Sequence, residues 1–265
     1  MRVGELLHRT DKSVVSAGTT AAGAPVVIKT ITTDDPYWVR CRSRELAVHA
    51  AFAAWPPGFP VPEVLFAGER TTVFTRLPGA RLHDRRHLDA DLPPATVAAV
   101  RAAVAAVATW TPPGGAETAL GGGVEEAPDP RLKVEAEFAA GLLSEPERAE
   151  LHRLIERLGP ARTFAHGDPI PTNVLLHEGG AALVDWELAG PRLPGYDWAV
   201  LFVTGVTGSP SLATAILAET AALREAFTVN LGLLLCREVR IHRGLPCPAG
   251  LDALRDQWRR RLGTG

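Results

Sequence analysis

The sequence predicts an α+β fold with two lobes, because strand-like and helix-like segments occupy different parts of the chain. Residues 1–77 contain short β-prone runs with one helical stretch among them. From residue 93 onward the pattern is helical, apart from one short hairpin. We therefore expect an N-terminal lobe at residues 1–77, with an antiparallel sheet and one helix, and a mostly helical C-terminal lobe at residues 78–265.

Local signals mark the elements of the first lobe. The helix begins after two acids, with Pro36 in its first turn, and ends before the Pro-Pro-Gly run at 56–58. Polar or glycine-containing turns separate the β-prone runs, as expected for an antiparallel meander. The predicted strands cover residues 3–8, 13–18, 24–31, 61–66 and 71–77. In the second lobe, prolines and glycines at 112–123 predict a loop.

Size and charge narrow the class of protein. A chain of 265 residues with 46% hydrophobic content can bury a large core, and a net charge of −2 does not favour nucleic-acid binding. No apolar run approaches the roughly 20 residues of a membrane span, and the first residues lack a signal-peptide layout. We expect a cytoplasmic protein without nucleic-acid or membrane partners; the sequence leaves the oligomeric state open.

One compact stretch carries the strongest chemical signal. His166, Asp168 and Asn173 have the spacing His-x-Asp-x4-Asn, and Asp185 follows twelve residues later at the end of an apolar run. The same residue types occur in the kinase catalytic loop and its metal-binding aspartate. Each acid alone is more simply explained as a turn or loop residue, but the combination would seldom arise by chance. The stretch therefore predicts a catalytic base and two metal ligands.

A predicted hairpin brings the two metal ligands together. Residues 174–177 and 181–184 are strand-like, and a three-residue loop with two glycines joins them. With Val174 facing Val184, Asn173 would lie opposite Asp185, their Cα atoms roughly 5 Å apart. A carboxylate beside an amide oxygen suits Mg²⁺.

Two residues of the first lobe extend the pattern. Lys29 ends a β-prone run, where a kinase places the lysine that contacts nucleotide phosphates. Glu45 lies mid-helix and could hold that ammonium group. In isolation the pair would be a surface lysine and a solvated glutamate.

The chain resembles the aminoglycoside phosphotransferase family of small-molecule kinases, relatives of choline kinase with the protein-kinase-like fold. The resemblance covers almost the whole chain and is carried by the residues at 26–29, Glu45, 75–79, 166–173, 184–187 and 195–199. It implies that Asp168 is the catalytic base and that Asn173 and Asp185 bind Mg²⁺.

The resemblance also assigns the nucleotide site and its support. Lys29 would contact phosphates with Glu45 behind it, and the backbone of Thr75 and Leu77 would hold adenine, with Phe74 at the rear of the pocket; the phosphoryl donor would be ATP or GTP. His166 and Asp197 would support the catalytic loop. The first turn, at 8–13, lacks the glycines of protein kinases, so Ser13 is either a phosphate contact or part of an exposed hairpin tip.

The predicted function is ATP-dependent phosphorylation of a small-molecule hydroxyl. A protein kinase is disfavoured, because eleven residues between Asp185 and Asp197 leave no room for an activation loop. A nucleotide-binding pseudokinase is disfavoured by the intact polar positions. The acceptor is either an antibiotic or a primary metabolite such as choline, homoserine or a sugar.

Acidic residues give one indication of the acceptor. Residues 116–150 contain nine acids and three bases, a net of −6. If this segment lines the acceptor cleft, it predicts a cationic antibiotic, such as an aminoglycoside or a basic peptide. The alternative is a solvated helix face, the usual location of a charge run.

Overall fold

The structure is a computed structural model, and it describes residues 1–115, 120, 129–244 and 250–263. The N-terminal part is a five-stranded antiparallel sheet in the order β1-β2-β3-β5-β4. Its elements are β1 (Arg2–Arg9), β2 (Ser13–Thr19), β3 (Pro25–Ile31), α1 (Pro36–Ala54), β4 (Val64–Ala67) and β5 (Thr71–Thr75). The predicted sheet with one helix is confirmed.

The start of α1 follows from local chemistry. The Asp35 carboxylate accepts a hydrogen bond from the Tyr37 amide at 2.8 Å, and Pro36 occupies the first turn. The strand predicted at 61–66 begins only at Val64. Pro62 has no N–H to donate, so pairing cannot extend through it.

The C-terminal part is mostly helical, as predicted. Its helices are α2 (Pro94–Ala108), α3 (Pro130–Ala139), α4 (Glu145–Leu158), α5 (Tyr196–Gly205), α6 (Pro210–Glu219), α7 (Arg224–Ile241) and α8 (Leu251–Leu262). Its short strands are β6 (Ala80–Arg81), β7 (Thr163–Ala165), β8 (Val174–His177), β9 (Gly180–Leu183) and β10 (Gly190–Arg192). They form two small antiparallel sheets, β6-β8-β9 and β7-β10. None of the described helices is long and apolar enough to cross a membrane.

The predicted hairpin exists, but its predicted register is wrong by one residue. Val174 pairs with Leu183, and His177 pairs with Gly180. Gly180, with φ 134°, is the glycine that adopts positive φ, and it pairs with His177 as the first residue of β9, so the loop has two residues instead of three. Asn173 consequently faces Val184, whose amide donates to the Asn173 carbonyl at 3.0 Å, and does not face Asp185.

An aromatic cluster joins α1 to the C-terminal part. The Phe52 ring on α1 lies 4.9 Å from the Trp186 ring and 5.0 Å from the Trp110 ring, both edge-on. Trp186 is fully buried and also contacts His166, with 4.5 Å between ring centroids. Because Trp186 follows Asp185 directly, this packing fixes the helix that carries Glu45 relative to the catalytic loop.

Candidate active site

A cleft of about 770 Å³ is lined by both parts of the chain. Every residue predicted to bind nucleotide or metal, and the predicted base, lies on its wall. They are Ser13, Lys29, Glu45, Phe74, Thr75, Leu77, Asp168, Asn173 and Asp185. The two supporting residues, His166 and Asp197, are buried beneath it. A cleft of this size suits a nucleotide together with a small molecule.

Lys29 is the electrostatic centre of the cleft. Its Nζ atom lies 2.9 Å from Glu45 Oε2, 2.5 Å from Asp185 Oδ1 and 2.9 Å from Glu187 Oε2. Burial opposes the lysine charge, but Asp185, Glu45 and Glu187 outweigh it and hold the pKa of Lys29 well above its ordinary value. The sequence places Lys29 and Glu45 in this order, and the structure brings them into direct contact.

Glu187 and Lys12 were not predicted as site residues. Glu187 bonds to both Lys29 and Lys12, and it lies two positions after Asp185 on the short helical turn Trp186–Leu188. Its position in the motif around Asp185 was the only signal that could have identified it. The carboxylates of Glu45, Asp185 and Glu187 have oxygen atoms within 4.8 Å of one another. They face the ammonium groups of Lys29 and Lys12, so three ionised carboxylates would exceed the positive charge by one.

The Asp197 side chain holds the backbone of the predicted catalytic loop, His166–Asn173, in place. Its carboxylate accepts hydrogen bonds from the His166 amide at 2.7 Å and the Gly167 amide at 2.9 Å. Burial raises the pKa of Asp197 to about 6, and these two amide bonds partly oppose that shift. The carboxylate thus compensates two buried donors that would otherwise be unpaired.

The His166 ring has one defined arrangement of hydrogen bonds. Its Nε2 donates to the Val184 carbonyl at 3.0 Å, and its Nδ1 accepts from the Asp168 amide at 3.3 Å. Burial lowers the pKa of His166 to about 4, so the ring is neutral at physiological pH. The neutral ring connects the backbone of Asp168 to the strand that leads into Asp185.

Gly167 allows a close backbone approach at the base of the cleft. Its φ is +86°, and a Cβ atom at this position would lie 2.1 Å from the Leu188 carbonyl oxygen. No larger residue fits without moving one of the two chains. The arginine that protein kinases carry between the histidine and the aspartate is therefore sterically excluded here.

Arg237 on α7 is a third unpredicted residue, and it lies at the predicted catalytic loop. Its Nη1 atom lies 3.2 Å from Asp168 Oδ1. The Asn173 side chain donates through Nδ2 to the Asp168 carbonyl at 3.0 Å, which orients the Asn173 amide oxygen away from that bond. No local sequence signal identifies Arg237, because it is 69 residues away from Asp168 along the chain.

Asp185 adopts a left-handed backbone conformation, with φ 70°. Among the described residues it is the only non-glycine with positive φ. This conformation is uncommon and is typical of functional sites, where the surrounding fold must hold it. Its side chain is 34% exposed toward the cleft, and although burial acts to raise the pKa of Asp185, Lys29 and Lys12 lower it. The Asp185 carboxylate and the Asn173 amide oxygen are hard oxygen donors that fit Mg²⁺.

The predicted adenine contacts lie at the end of β5. The Thr75 amide donates to the Glu63 carbonyl at 2.9 Å, so the predicted adenine contact at this residue could use only the Thr75 carbonyl. The Phe74 ring packs 5.0 Å from the His49 ring on the cleft wall. Ser13 is only 5% exposed, and its amide donates to the Thr10 hydroxyl at 3.2 Å. Ser13 is therefore not an exposed hairpin tip.

The acidic segment at 116–150 does not build the cleft wall within the described residues. Glu117, Glu125 and Glu126 lie outside the described ranges. The other acids have partners elsewhere: Asp129 caps α3, and the five glutamates pair with basic side chains. None of these six acids lines the cleft. The charge run thus gives no structural support for a cationic acceptor.

Comparisons with solved structures show the same architecture in antibiotic kinases. A thermostable mutant of aminoglycoside phosphotransferase APH(4)-Ia, in a ternary complex with ADP and hygromycin B, is 20% identical with a TM-score of 0.60, covering 99% of this chain and 95% of that one. The GDP complex of wild-type aminoglycoside 2′-phosphotransferase-IIIa is 12% identical, with a TM-score of 0.64 over 99% and 93%. Macrolide 2′-phosphotransferase MphH from Brachybacterium faecium is 16% identical, with a TM-score of 0.62 over 100% and 91%.

The likeness to these structures establishes the kinase-like fold. A search of curated protein sequences gives no significant match. The family model described as the phosphotransferase enzyme family (APH) matches residues 5–228, which is most of the chain. The resemblance in the catalytic loop is thereby confirmed: the chain belongs to the phosphotransferase enzyme family.

Proposed function

We propose that the protein is an ATP- or GTP-dependent O-phosphotransferase that acts on the hydroxyl group of a small molecule. The observation that supports this most is the convergence of Lys29, Asp168, Asn173 and Asp185 on one cleft. Residues 1–77 form the nucleotide-binding lobe, and residues 78–265 form the catalytic and acceptor-binding lobe. We propose a cytoplasmic location, because ATP and GTP are available there.

Each residue has a defined part in phosphoryl transfer. Asp168 orients the acceptor hydroxyl and receives its proton, while Lys29, positioned by Glu45, contacts the nucleotide phosphates. Asn173 and Asp185 would hold Mg²⁺, which would supply positive charge beside the nucleotide phosphates. Asp197 and His166 keep the backbone of the catalytic loop in place. Positioning and charge neutralisation account for most of the catalysis of this reaction.

We propose a hydroxylated antibiotic as the acceptor class, because solved structures with this fold include aminoglycoside and macrolide phosphotransferases. A primary metabolite such as choline, homoserine or a sugar is the second candidate. The acidic segment was the main reason to expect a cationic acceptor, and it no longer supports one, since the described acids of 129–150 lie away from the cleft. A pseudokinase does not fit the retained base, lysine and metal ligands.

The test is the Asp168→Asn substitution. The expected result is loss of phosphoryl transfer, with nucleotide binding nearly unchanged, because the substitution removes the base and leaves Lys29 and Asp185 in place. A thermal-shift screen of hydroxylated antibiotics and metabolites with ATP and Mg²⁺ identifies the acceptor. Product formation is then followed with the wild type, the variant and Asp256→Asn, which changes an exposed carboxylate on α8. Near-wild-type turnover by Asp168→Asn refutes the proposal.

A further inference from the structure

A second cavity, of about 40 Å³, shares the Arg237 side chain with the cleft. Five basic side chains and no acidic one line it. They are Lys133 on α3, Arg162 before β7, Arg192 on β10, and Arg237 and Arg240 on α7. We call it the basic cavity. Its basic residues are as much as 107 positions apart along the chain, so the fold, and no local charge run, assembles it.

Only part of this positive charge is balanced. Arg240 pairs with Glu137, and Arg237 pairs with both Asp168 and Glu238. Within the described ranges, Lys133, Arg162 and Arg192 have no carboxylate at salt-bridge distance; Arg162 and Arg192 donate only to backbone carbonyls. Three positive charges therefore remain around one small cavity. Like charges brought together in this way repel one another unless an anion joins them.

Unsatisfied hydrogen-bond donors in the basic cavity also indicate a site for an anion. Arg192 Nε and Arg237 Nη2 are buried atoms with no hydrogen-bond partner among the described residues, whereas Arg237 Nε lies 3.4 Å from Glu238 Oε1. Burial lowers the pKa of Arg192, which shows the cost of keeping this guanidinium charged. Each unpaired buried donor costs stability. A planar or tetrahedral group with several acceptor oxygens would satisfy such donors together, since guanidinium groups match carboxylate and phosphate geometry.

We propose that the basic cavity binds an anionic group of the acceptor, a carboxylate or a phosphate. This rests on the proposed function, and it narrows the acceptor to a hydroxylated small molecule that carries such a group close to the reacting hydroxyl. The cavity is small and adjoins the cleft at Arg237, so the anionic group would occupy the cavity while the rest of the acceptor lies in the cleft. Arg237 reaches from this cavity to the Asp168 carboxylate, so one guanidinium contacts both the bound anion and the catalytic base.

Inorganic phosphate is the first probe. Calorimetric titration uses the full-length protein with its nucleotide site saturated by ADP and Mg²⁺, at constant ionic strength. The expected result is saturable binding that weakens about tenfold in Lys133→Met and in Arg192→Gln, because each loses a charge-assisted contact. The matched control is Arg131→Gln, an exposed arginine on the same helix α3, which should bind phosphate like the wild type. No saturable binding, or equal weakening in the control, overturns the proposal.

Steady-state kinetics then separates an acceptor group from free phosphate. Hydroxylated carboxylates and sugar phosphates are compared with aminosugars as acceptors for ATP and Mg²⁺. We expect the anionic compounds to be phosphorylated and free phosphate to compete with them. In Lys133→Met the KM for the acceptor should rise about tenfold, while kcat and the KM for ATP stay unchanged. Phosphate that binds without competing overturns the acceptor role.

The two proposals fail in different ways. If an aminosugar is phosphorylated and phosphate does not bind, the basic cavity is not an acceptor site, while the phosphotransferase function stands. If phosphate binds at the basic cavity but no acceptor is phosphorylated and ATP does not bind, the phosphotransferase function is refuted, and the acceptor assignment falls with it.

Discussion

The substitution Lys29→Met tests whether one ammonium group holds the cleft together. Lys29 contacts three carboxylates at 2.5–2.9 Å, and the side chains of Glu45 and Glu187 are only 4% and 9% exposed. Without the lysine, these acids lose their shared counter-charge, and only Glu187 keeps Lys12. Removing one partner from a buried ion pair typically costs about 3–5 kcal/mol. We expect a loss of unfolding free energy in this range at about pH 8.

The pH dependence follows from the same carboxylates. Burial already raises the pKa of Glu45, and loss of Lys29 removes the charge that opposes this shift. A carboxyl group whose pKa is higher in the folded protein than in the unfolded protein contributes to stability at low pH. This contribution is lost as the pH rises through the pKa that the group has in the folded protein. The stability difference between wild type and Lys29→Met should therefore shrink between about pH 8 and about pH 5.5.

The assay is urea unfolding followed by tryptophan fluorescence at both pH values, with and without Mg²⁺. Lys12→Met is the matched control, because it removes the other ammonium group on Glu187 from a side chain that is 24% exposed. It should cost only about 1 kcal/mol or less. Added Mg²⁺ should recover part of the stability of Lys29→Met by neutralising the three carboxylates. Wild-type stability of Lys29→Met at both pH values would refute the reasoning.

Three further predictions use other parts of the site. Asp185→Asn keeps a residue that tolerates the left-handed backbone but removes the charged ligand, so calorimetry should show affinity for Mg-ATP weakened by about tenfold or more; unchanged affinity would contradict the metal assignment. Burial lowers the pKa of His49 to about 4, so the unfolded protein binds a proton at this histidine at a higher pH than the folded protein does. Lowering the pH from about 7.5 to about 5 should therefore reduce the unfolding free energy of the wild type by about 2 kcal/mol more than that of His49→Gln. A pH-independent difference in unfolding free energy would show that His49 does not titrate in this way. Gly167→Ala should cost about 2–4 kcal/mol, since the Cβ meets the Leu188 carbonyl, while Gly263→Ala, in the left-handed α conformation but with open space, should cost only about 1 kcal/mol. Equal thermal denaturation of the two variants would argue against the close contact at Gly167.

The sequence was most informative where function depends on residues close together in the chain. The His166–Asn173 loop and Asp185 could be found because spacing and residue type are both visible. The fold class was predictable because the strand-rich and helix-rich segments are separate. The hairpin register was not, because two adjacent glycines allow either a two-residue or a three-residue loop, and only the observed Gly180 conformation decides.

Contacts between distant segments lay outside what the sequence could predict. Arg237 reaches Asp168 from α7, and the basic cavity combines α3, β10 and α7. For the acids of 129–150 the sequence left two interpretations open, a cleft wall or a solvated helix face, and the structure pairs glutamates of this segment with arginines away from the cleft. Charge along the chain does not reveal which side of a helix faces a cavity.

The glycine at position 167 also has a consequence for how the activity of the protein can be regulated. The catalytic loop touches the segment after Asp185 backbone to backbone, with no space for a residue that could read a phosphate group on a neighbouring loop. The arginine that would contact a phosphorylated residue therefore has no counterpart at this position. Under the proposed function, we therefore expect phosphoryl transfer by the purified protein to need no prior phosphorylation of the chain next to this loop.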